Sequence, residues 1–190
     1  MASSSLSIAN VAPALAPFAG ATLLVGERYS TSGSFTDPGT DPWNATVDYG
    51  DGSGASALAL SGQSFTLDHR YTGAGSFDVA VSIDDGDAAV TGHATVLVES
   101  SLQGIAHLLD NVDALGGPGG PLGRGEINSL EAKLQNANRL LSEGRKIPAA
   151  ALVGAFVLEM DALVVTRRLP LETVQPINAY ARRVIRSIGS

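Results

Sequence analysis

The chain has 190 residues, 44% of them hydrophobic and 16% charged, with no cysteine and a formal net charge of −7. That length allows one or two domains with genuine cores, and the lack of cysteine excludes disulfide support while leaving export open. No run of about 20 apolar residues stands out, so no membrane span is expected. Met1–Ser5 has neither the basic start nor the long apolar stretch of a secretion signal.

Charge divides the chain. Residues 1–100 carry 11 Asp/Glu against 2 Lys/Arg, whereas residues 101–190 carry 8 against 10. An acidic first half would repel phosphates, which argues against a nucleic-acid partner.

Leu6 to Ala9 alternates before Asn10-Val11-Ala12-Pro13 breaks the run. It reads as the end of an upstream module or as a frayed edge strand, and an edge strand offers a route to self-association by strand addition. Thr22 to Val25 and Arg28 to Phe35 read as strands, followed by the turn cluster Thr36 to Pro42. Trp43, Ala45, Val47 and Tyr49 alternate with polar residues, as do Phe65, Leu67, His69 and Tyr71, and again Phe77, Val79, Val81 and Ile83. A period of two marks strands with one buried face. Ala57 to Leu60 reads as a short edge strand, and Ala88 to Val98 closes the set. Seven to nine strands separated by turn signals indicate a β-sandwich.

At Ser100 the period changes to about 3.6. Leu102, Ile105, Leu109 and Val112 share one helical face, with Ser100 or Ser101 as N-cap. Residues 116–125 hold six glycines and two prolines and read as a loop. A second helix is expected over 126–143 on the seam Ile127, Leu130, Leu134, Ala137 and Leu141, with Gly144 as its C-cap. A third begins near Pro148; its apolar arc is wide, which predicts the most buried helix. The fourth carries Val174, Ile177, Ala181, Val184 and Ile188, with Thr173 as N-cap and Pro176 at the third helical position. The expected fold class is all-β plus all-α in two domains: an immunoglobulin-like β-sandwich over 10–99, then a small antiparallel four-helix bundle over 100–190.

The first domain resembles a PKD-type repeat, an immunoglobulin-like module of microbial surface and secreted proteins. The likeness rests on Gly33-Ser34-Phe35-Thr36-Asp37-Pro38-Gly39, Val47-Asp48-Tyr49-Gly50-Asp51-Gly52, His69-Arg70-Tyr71 and Gly75-Ser76-Phe77-Asp78-Val79. One departure is Val47, where many members carry tryptophan; Trp43 is placed to supply that bulk. The second domain resembles the FIMAH helical module of bacterial secreted and surface proteins, through Ser129 to Leu134, Ala149 to Phe156 and Ala179-Tyr180-Ala181. The Gly/Pro loop does not fit that pattern.

No catalytic constellation is visible. There is no cysteine nucleophile and no Gly-x-Ser-x-Gly elbow, and His69, His93 and His107 lack metal-ligand spacing. Each histidine reads as a surface or packing residue, and no enzyme is expected. Calcium is the chemical candidate. The PKD-type resemblance implies ligands at Asn10, Asp37 and Asp85, with Asp41 and Asp84 nearby; the alternative is turn-forming aspartates at a solvated sheet end. A basic set, Arg167, Arg168, Arg182, Arg183 and Arg186, is the candidate partner surface, for an acidic glycan or the acidic half of the same chain; the alternative is solvated helix ends favoured by the macrodipole.

The resemblances imply a non-catalytic extracellular or cell-surface spacer or adhesion segment. Its partners would be other modules of the same chain and a protein or polysaccharide surface. The alternatives are accessory targeting domains of a secreted hydrolase, or a subunit of a self-assembling filament.

Overall fold

The computed structural model describes residues 10–39, 42–117 and 119–190. The possible strand at 6–9 lies outside the described residues.

Among the described residues of the first half, nine strands form: β1 (Ala14–Leu15), β2 (Ala21–Leu24), β3 (Arg28–Thr36), β4 (Asn44–Asp48), β5 (Ser56–Ala57), β6 (Leu60–Ser61), β7 (Ser64–Arg70), β8 (Gly75–Asp84) and β9 (Ala89–Glu99). They make a four-stranded sheet in the order β1-β3-β7-β6 and a five-stranded sheet in the order β2-β9-β8-β4-β5. The predicted alternation sets the faces: Phe65, Leu67, Val79, Val81 and Ile83 are buried along with Tyr29, Phe35, Ala45 and Val47. Register follows, because a slip by one residue would turn each set to solvent. Thus Ala45 lies opposite Ile83 and Val47 opposite Val81, while Thr31 lies opposite Leu67 and Gly33 opposite Phe65.

The stretch expected as one edge strand over 57–60 is two. Strand β5 pairs with β4 and β6 with β7, so the chain crosses between the sheets there. β1 carries no sequence signal: two residues pair, Ala14 opposite Thr36 and Leu15 opposite Phe35.

Four helices follow: α1 (Ser101–Gly116), α2 (Arg124–Ser142), α3 (Lys146–Val165) and α4 (Leu171–Gly189). The β-sandwich is therefore followed by a four-helix bundle, as expected. By contact density the chain separates into two compact units. One takes in Arg28–Tyr71, Gly75–Leu97 and the chain up to Leu23; the other takes in Leu24–Glu27, Thr72–Ala74 and Val98–Ser190. The helical core contains Leu24, Ile105, Leu108, Leu130, Leu134, Phe156, Met160 and Val184.

Ser100 caps α1 with a reciprocal pair of bonds to Gln103, a capping box that satisfies two helix-end donors. The buried face of α1 is Gly104, Ile105, Leu108, Val112 and Leu115, while Leu102 is exposed. The predicted face is thus rotated. The reason is Gly104, whose missing side chain leaves room for Val184 and Leu24. Helix α4 starts at Leu171, one turn earlier than the Thr173 cap implies, because Pro170 supplies the carbonyl that Thr173 and Val174 bond. Pro176 therefore lies inside the helix, where the bond to the Glu172 carbonyl is missing.

Helix α3 departs furthest from expectation. Its buried residues are Ala149, Val153, Phe156, Val157, Met160 and Leu163, but Ile147, Leu158 and Val165 on its other side are well exposed. Its apolar arc is wide because it is apolar on both sides. Lys146–Val165 is also long and apolar enough, by length and composition, to cross a membrane. The sequence reading missed this because Pro148, Gly154, Glu159 and Asp161 interrupt the run.

Candidate functional site

Aspartates recur in the loops of the sandwich, and five of them share one local bond. The side chains of Asp37, Asp48, Asp51, Asp84 and Asp85 each accept a bond from the backbone N–H two residues on: Gly39, Gly50, Ser53, Gly86 and Asp87, at 2.8–3.0 Å. This is the local bond through which Asp favours turns over continued strand.

Three of the five do more, and of these Asp37 and Asp85 are buried. Asp85 Oδ1 also accepts from Ala88 N at 2.7 Å, and its Oδ2 accepts from Asn10 Nδ2 at 2.9 Å. The Asn10 amide, and then the Ala88 N–H, hold this carboxyl below the usual aspartate range. Asp37 Oδ2 accepts from Trp43 Nε1 at 2.6 Å, and its carbonyl accepts from Gln63 Nε2 at 2.8 Å. Trp43 packs edge-on against Phe35 with centroids 5.4 Å apart, so it does contribute bulk on the Phe35 side.

Of the expected calcium ligands, the structure brings Asn10 and Asp85 together. Asp37 is tied to Trp43 and Gly39, Asp84 to its own turn, and Asp41 lies outside the described residues. Calcium takes six to eight oxygens. Here Asn10 presents its N–H to Asp85, and both Asp85 oxygens already accept bonds. Among the described residues no three His, Cys, Asp or Glu side chains converge as a metal site would require. The residues as arranged do not fit a calcium ion.

The histidines are paired. His69 Nε2 lies 2.8 Å from Asp51 Oδ2, and its ring stacks on Tyr49 at 4.1 Å. Ser53 first, and then His69, pull the Asp51 carboxyl down to about 2. Tyr71 donates to the Tyr49 carbonyl at 2.9 Å, anchoring the loop that follows β4. His93 Nδ1 lies 2.8 Å from Asp78 Oδ2.

The five candidate arginines do not form a single presented patch. Arg168 donates two bonds to Glu126, at 2.8 and 2.9 Å, and draws that carboxyl down to about 2. Arg183 donates two bonds to Glu27, at 2.8 and 2.6 Å, within the helical unit. Arg182 reaches Asp161 at 3.7 Å, and Arg167 ends α3 in the left-handed region with φ 58°. The Arg183 hydrogen bonds first, and last the positive charge of Arg186, hold the Glu27 carboxyl below its usual range.

Sequence reasoning missed the group around Tyr180. Its hydroxyl donates to buried Glu99 at 3.0 Å, and its ring lies 5.5 Å below the Arg183 guanidinium. His107 Nδ1 stands 3.3 Å from the same hydroxyl and 3.5 Å from Glu99. Burial, and then the Glu99 carboxylate, push the Tyr180 hydroxyl far above its ordinary range. His107, Asp110, Asn111 and Tyr180 line a surface hollow of about 280 Å³. The sequence offered Tyr180 only within Ala179-Tyr180-Ala181, and nothing in it pointed to Glu27 or Glu99.

Residues 10–99 match the family model of the PKD domain. The match begins at Asn10 and ends at Glu99, so it spans the nine strands, and the helical half lies outside it. No curated protein matches the chain. Among solved structures, a chimeric titin Z1Z2 functionalised with a decorin peptide is 17% identical, with 48% of this chain and 50% of that chain covered and a TM-score of 0.39. The titin M3 domain is 17% identical over 46% of this chain and 96% of that one, with a TM-score of 0.34. The titin I67–I69 fragment is 16% identical over 50% and 34%, with a TM-score of 0.40.

Proposed function

We propose that the chain is a non-catalytic spacer or adhesion segment of a secreted or cell-surface protein, in which the PKD domain carries tension and the helical bundle contacts a partner. The observation that supports this reading is the direction of β2 and β9. These strands are neighbours in the five-stranded sheet. Gly20 lies against the Thr95 carbonyl, and Val25 N donates to the Glu99 carbonyl at 2.9 Å. Residue numbers rise together along the two strands, so they run in the same direction.

That direction has a mechanical consequence. β2 comes early in the domain and β9 ends it. Tension pulling the two ends of the domain apart slides one strand past the other, so their hydrogen bonds are loaded together rather than one at a time. The paired and turn-closing aspartates and histidines are consistent with a structural role for those side chains.

The test is single-molecule extension of the whole chain between its two ends. The sandwich should give way in one cooperative event, at a higher force than the helices, whose bonds break one turn at a time. Gly20→Val should lower that force, because a Cβ at Gly20 overlaps the Thr95 carbonyl and pushes β2 off β9. A sandwich that yields before the bundle, or an unchanged force in Gly20→Val, would sink the reading.

A further inference from the structure

The hollow beside Tyr180 is lined by His107, Asp110 and Asn111 of α1 and by Tyr180 of α4, all within the helical unit. The three α1 residues stand at i, i+3 and i+4, so one turn of helix presents them on one face. Its volume of about 280 Å³ lies just below the roughly 300–1,000 Å³ of sites for drug-sized molecules. It has room for one long side chain or a small ligand.

The hydrogen bonds around it decide what the lining can offer. Glu99 is buried, and its ionised carboxylate can only accept. The Tyr180 hydroxyl spends its single proton on Glu99 Oε2, at 3.0 Å. His107 Nδ1 faces both of these oxygens, at 3.3 Å from the hydroxyl and 3.5 Å from Glu99. With neither oxygen left to donate, Nδ1 must carry the hydrogen, and the neutral ring keeps a bare lone pair on Nε2. A buried carboxylate that holds one ring nitrogen in this way fixes the tautomer and makes the other nitrogen a better acceptor. Asn111 spends Nδ2 on the His107 carbonyl at 2.7 Å, which leaves its Oδ1 to accept. Asp110 has no hydrogen bond or ion pair with any described residue, and it too is an acceptor.

The free polar capacity of the hollow is therefore three acceptors, one of them charged. Its complement is a cation that only donates. We infer that the hollow binds a primary ammonium group, carried by a lysine side chain of a partner or by a small free amine. An ammonium has three N–H donors and no acceptor, on a compact centre that can address three separate acceptors. A guanidinium is planar and suits a paired fork, which the lining lacks. The charge balance agrees. The nearby cation Arg183, 5.5 Å from the Tyr180 ring centre, is matched by two bonds to Glu27, while Asp110 and Glu99 favour positive charge. This gives a chemistry to the partner contact proposed above for the helical bundle, and it rests on that reading only when the ammonium belongs to a protein.

Nuclear magnetic resonance of the whole chain tests it, with the signals of His107 and Tyr180 followed at neutral pH. Titration with n-butylamine should shift both and saturate, with a dissociation constant on the order of 1–10 mM, as suits one small, partly exposed site. The neutral isostere n-butanol should bind at least fivefold more weakly. Asp110→Asn should weaken the amine at least fivefold with the melting temperature unchanged, because the residue is exposed. A lysine pentapeptide that binds tighter than n-butylamine assigns the site to a partner protein, and the reverse order assigns it to a free amine. Failure to saturate by about 100 mM overturns the inference. So does n-butanol matching the amine, an unchanged affinity in Asp110→Asn, or an arginine pentapeptide that outcompetes the lysine one. None of these results bears on the extension test, so the tension-bearing reading of the sandwich fails or holds separately.

Discussion

Asp85 and Asn10 stand 75 positions apart in sequence, yet the Asn10 amide donates to Asp85 Oδ2 at 2.9 Å. With the N–H groups of Asp87 and Ala88 on the other oxygen, this one buried carboxylate holds three donors. It closes the turn between β8 and β9 and fixes the segment that enters the sandwich. Asp85→Ala should destabilise the chain more than Asn10→Ala, since it removes three hydrogen bonds at once. Asn10→Ala should cost about 1 kcal/mol or less, because the two backbone bonds survive. Urea unfolding of the two variants checks the order.

The same geometry makes a prediction about calcium. Because Asn10 presents a donor and the oxygens of Asp37 and Asp85 are already engaged, melting in calcium and in chelator should coincide. A rise in calcium that disappears in Asp85→Asn would restore the ion. Ligand at about 100 times its dissociation constant should add roughly 2.7 kcal/mol, an effect readily visible in melting.

Acid should weaken the fold in a defined window. Asp51 has its folded value drawn down to about 2 from an ordinary 3.8, and Glu126 to about 2 from 4.5. A carboxyl whose folded value is depressed stabilises above its unfolded value, and that contribution is lost as pH falls through the folded one. Stability from these two groups should therefore be complete above about pH 5 and fall between there and about pH 2. Asp51→Asn and Glu126→Gln should each flatten the curve of stability against pH in that window, measured by denaturant midpoints.

Gly50 is fixed by two requirements at once. Its φ is 72°, and a Cβ built there would lie 2.5 Å from the Asp78 carbonyl oxygen. Gly50→Ala should therefore cost more than the roughly 1 kcal/mol of a left-handed alanine alone. Gly52, with φ 88° and open space around it, should show only the conformational part. Comparing the two alanine variants by thermal melting separates the clash from the backbone conformation.

Glu27 and Arg183 form the best-formed ion pair of the helical unit, with two bonds at 2.8 and 2.6 Å. Glu27 Oε2 also accepts from Leu24 N at 2.9 Å. Glu27→Gln should cost about 1–2 kcal/mol, and the double variant with Arg183→Met should cost less than the sum of the singles, because both singles remove the same interaction. Guanidinium, itself a salt, would mask the effect, so urea is the denaturant to use.

Much of the fold could be read from local pattern. The period-two runs in β4, β7 and β8 named their buried faces, because alternation is fixed by strand geometry alone. The change of period at Ser100 marked the first helix, and its cap is where the serine signal put it. What sequence could not decide depended on contacts between distant segments. The face of α1 turned on Val184 and Leu24 fitting against Gly104. The start of α4 turned on the Pro170 carbonyl accepting the first N–H bonds of the helix. The stretch at 57–60 divided because its two ends pair with strands of different sheets.

The side-chain chemistry divides in the same way. Turn grammar determined that Asp37, Asp51 and Asp85 sit in loops and Asp48 and Asp84 at strand ends, and each of these five accepts a bond from the backbone N–H two residues on, which is a local property. Tertiary structure alone brought Asn10 to Asp85, Trp43 to Asp37, Arg183 to Glu27 and Tyr180 to Glu99. Each of these pairs joins separate chain segments whose spacing in sequence carries no trace of their distance in space. The exposed face of α3 was decided there too: its residues advertise a buried helix, and only the packing of the bundle shows which half of that apolar surface has a neighbour.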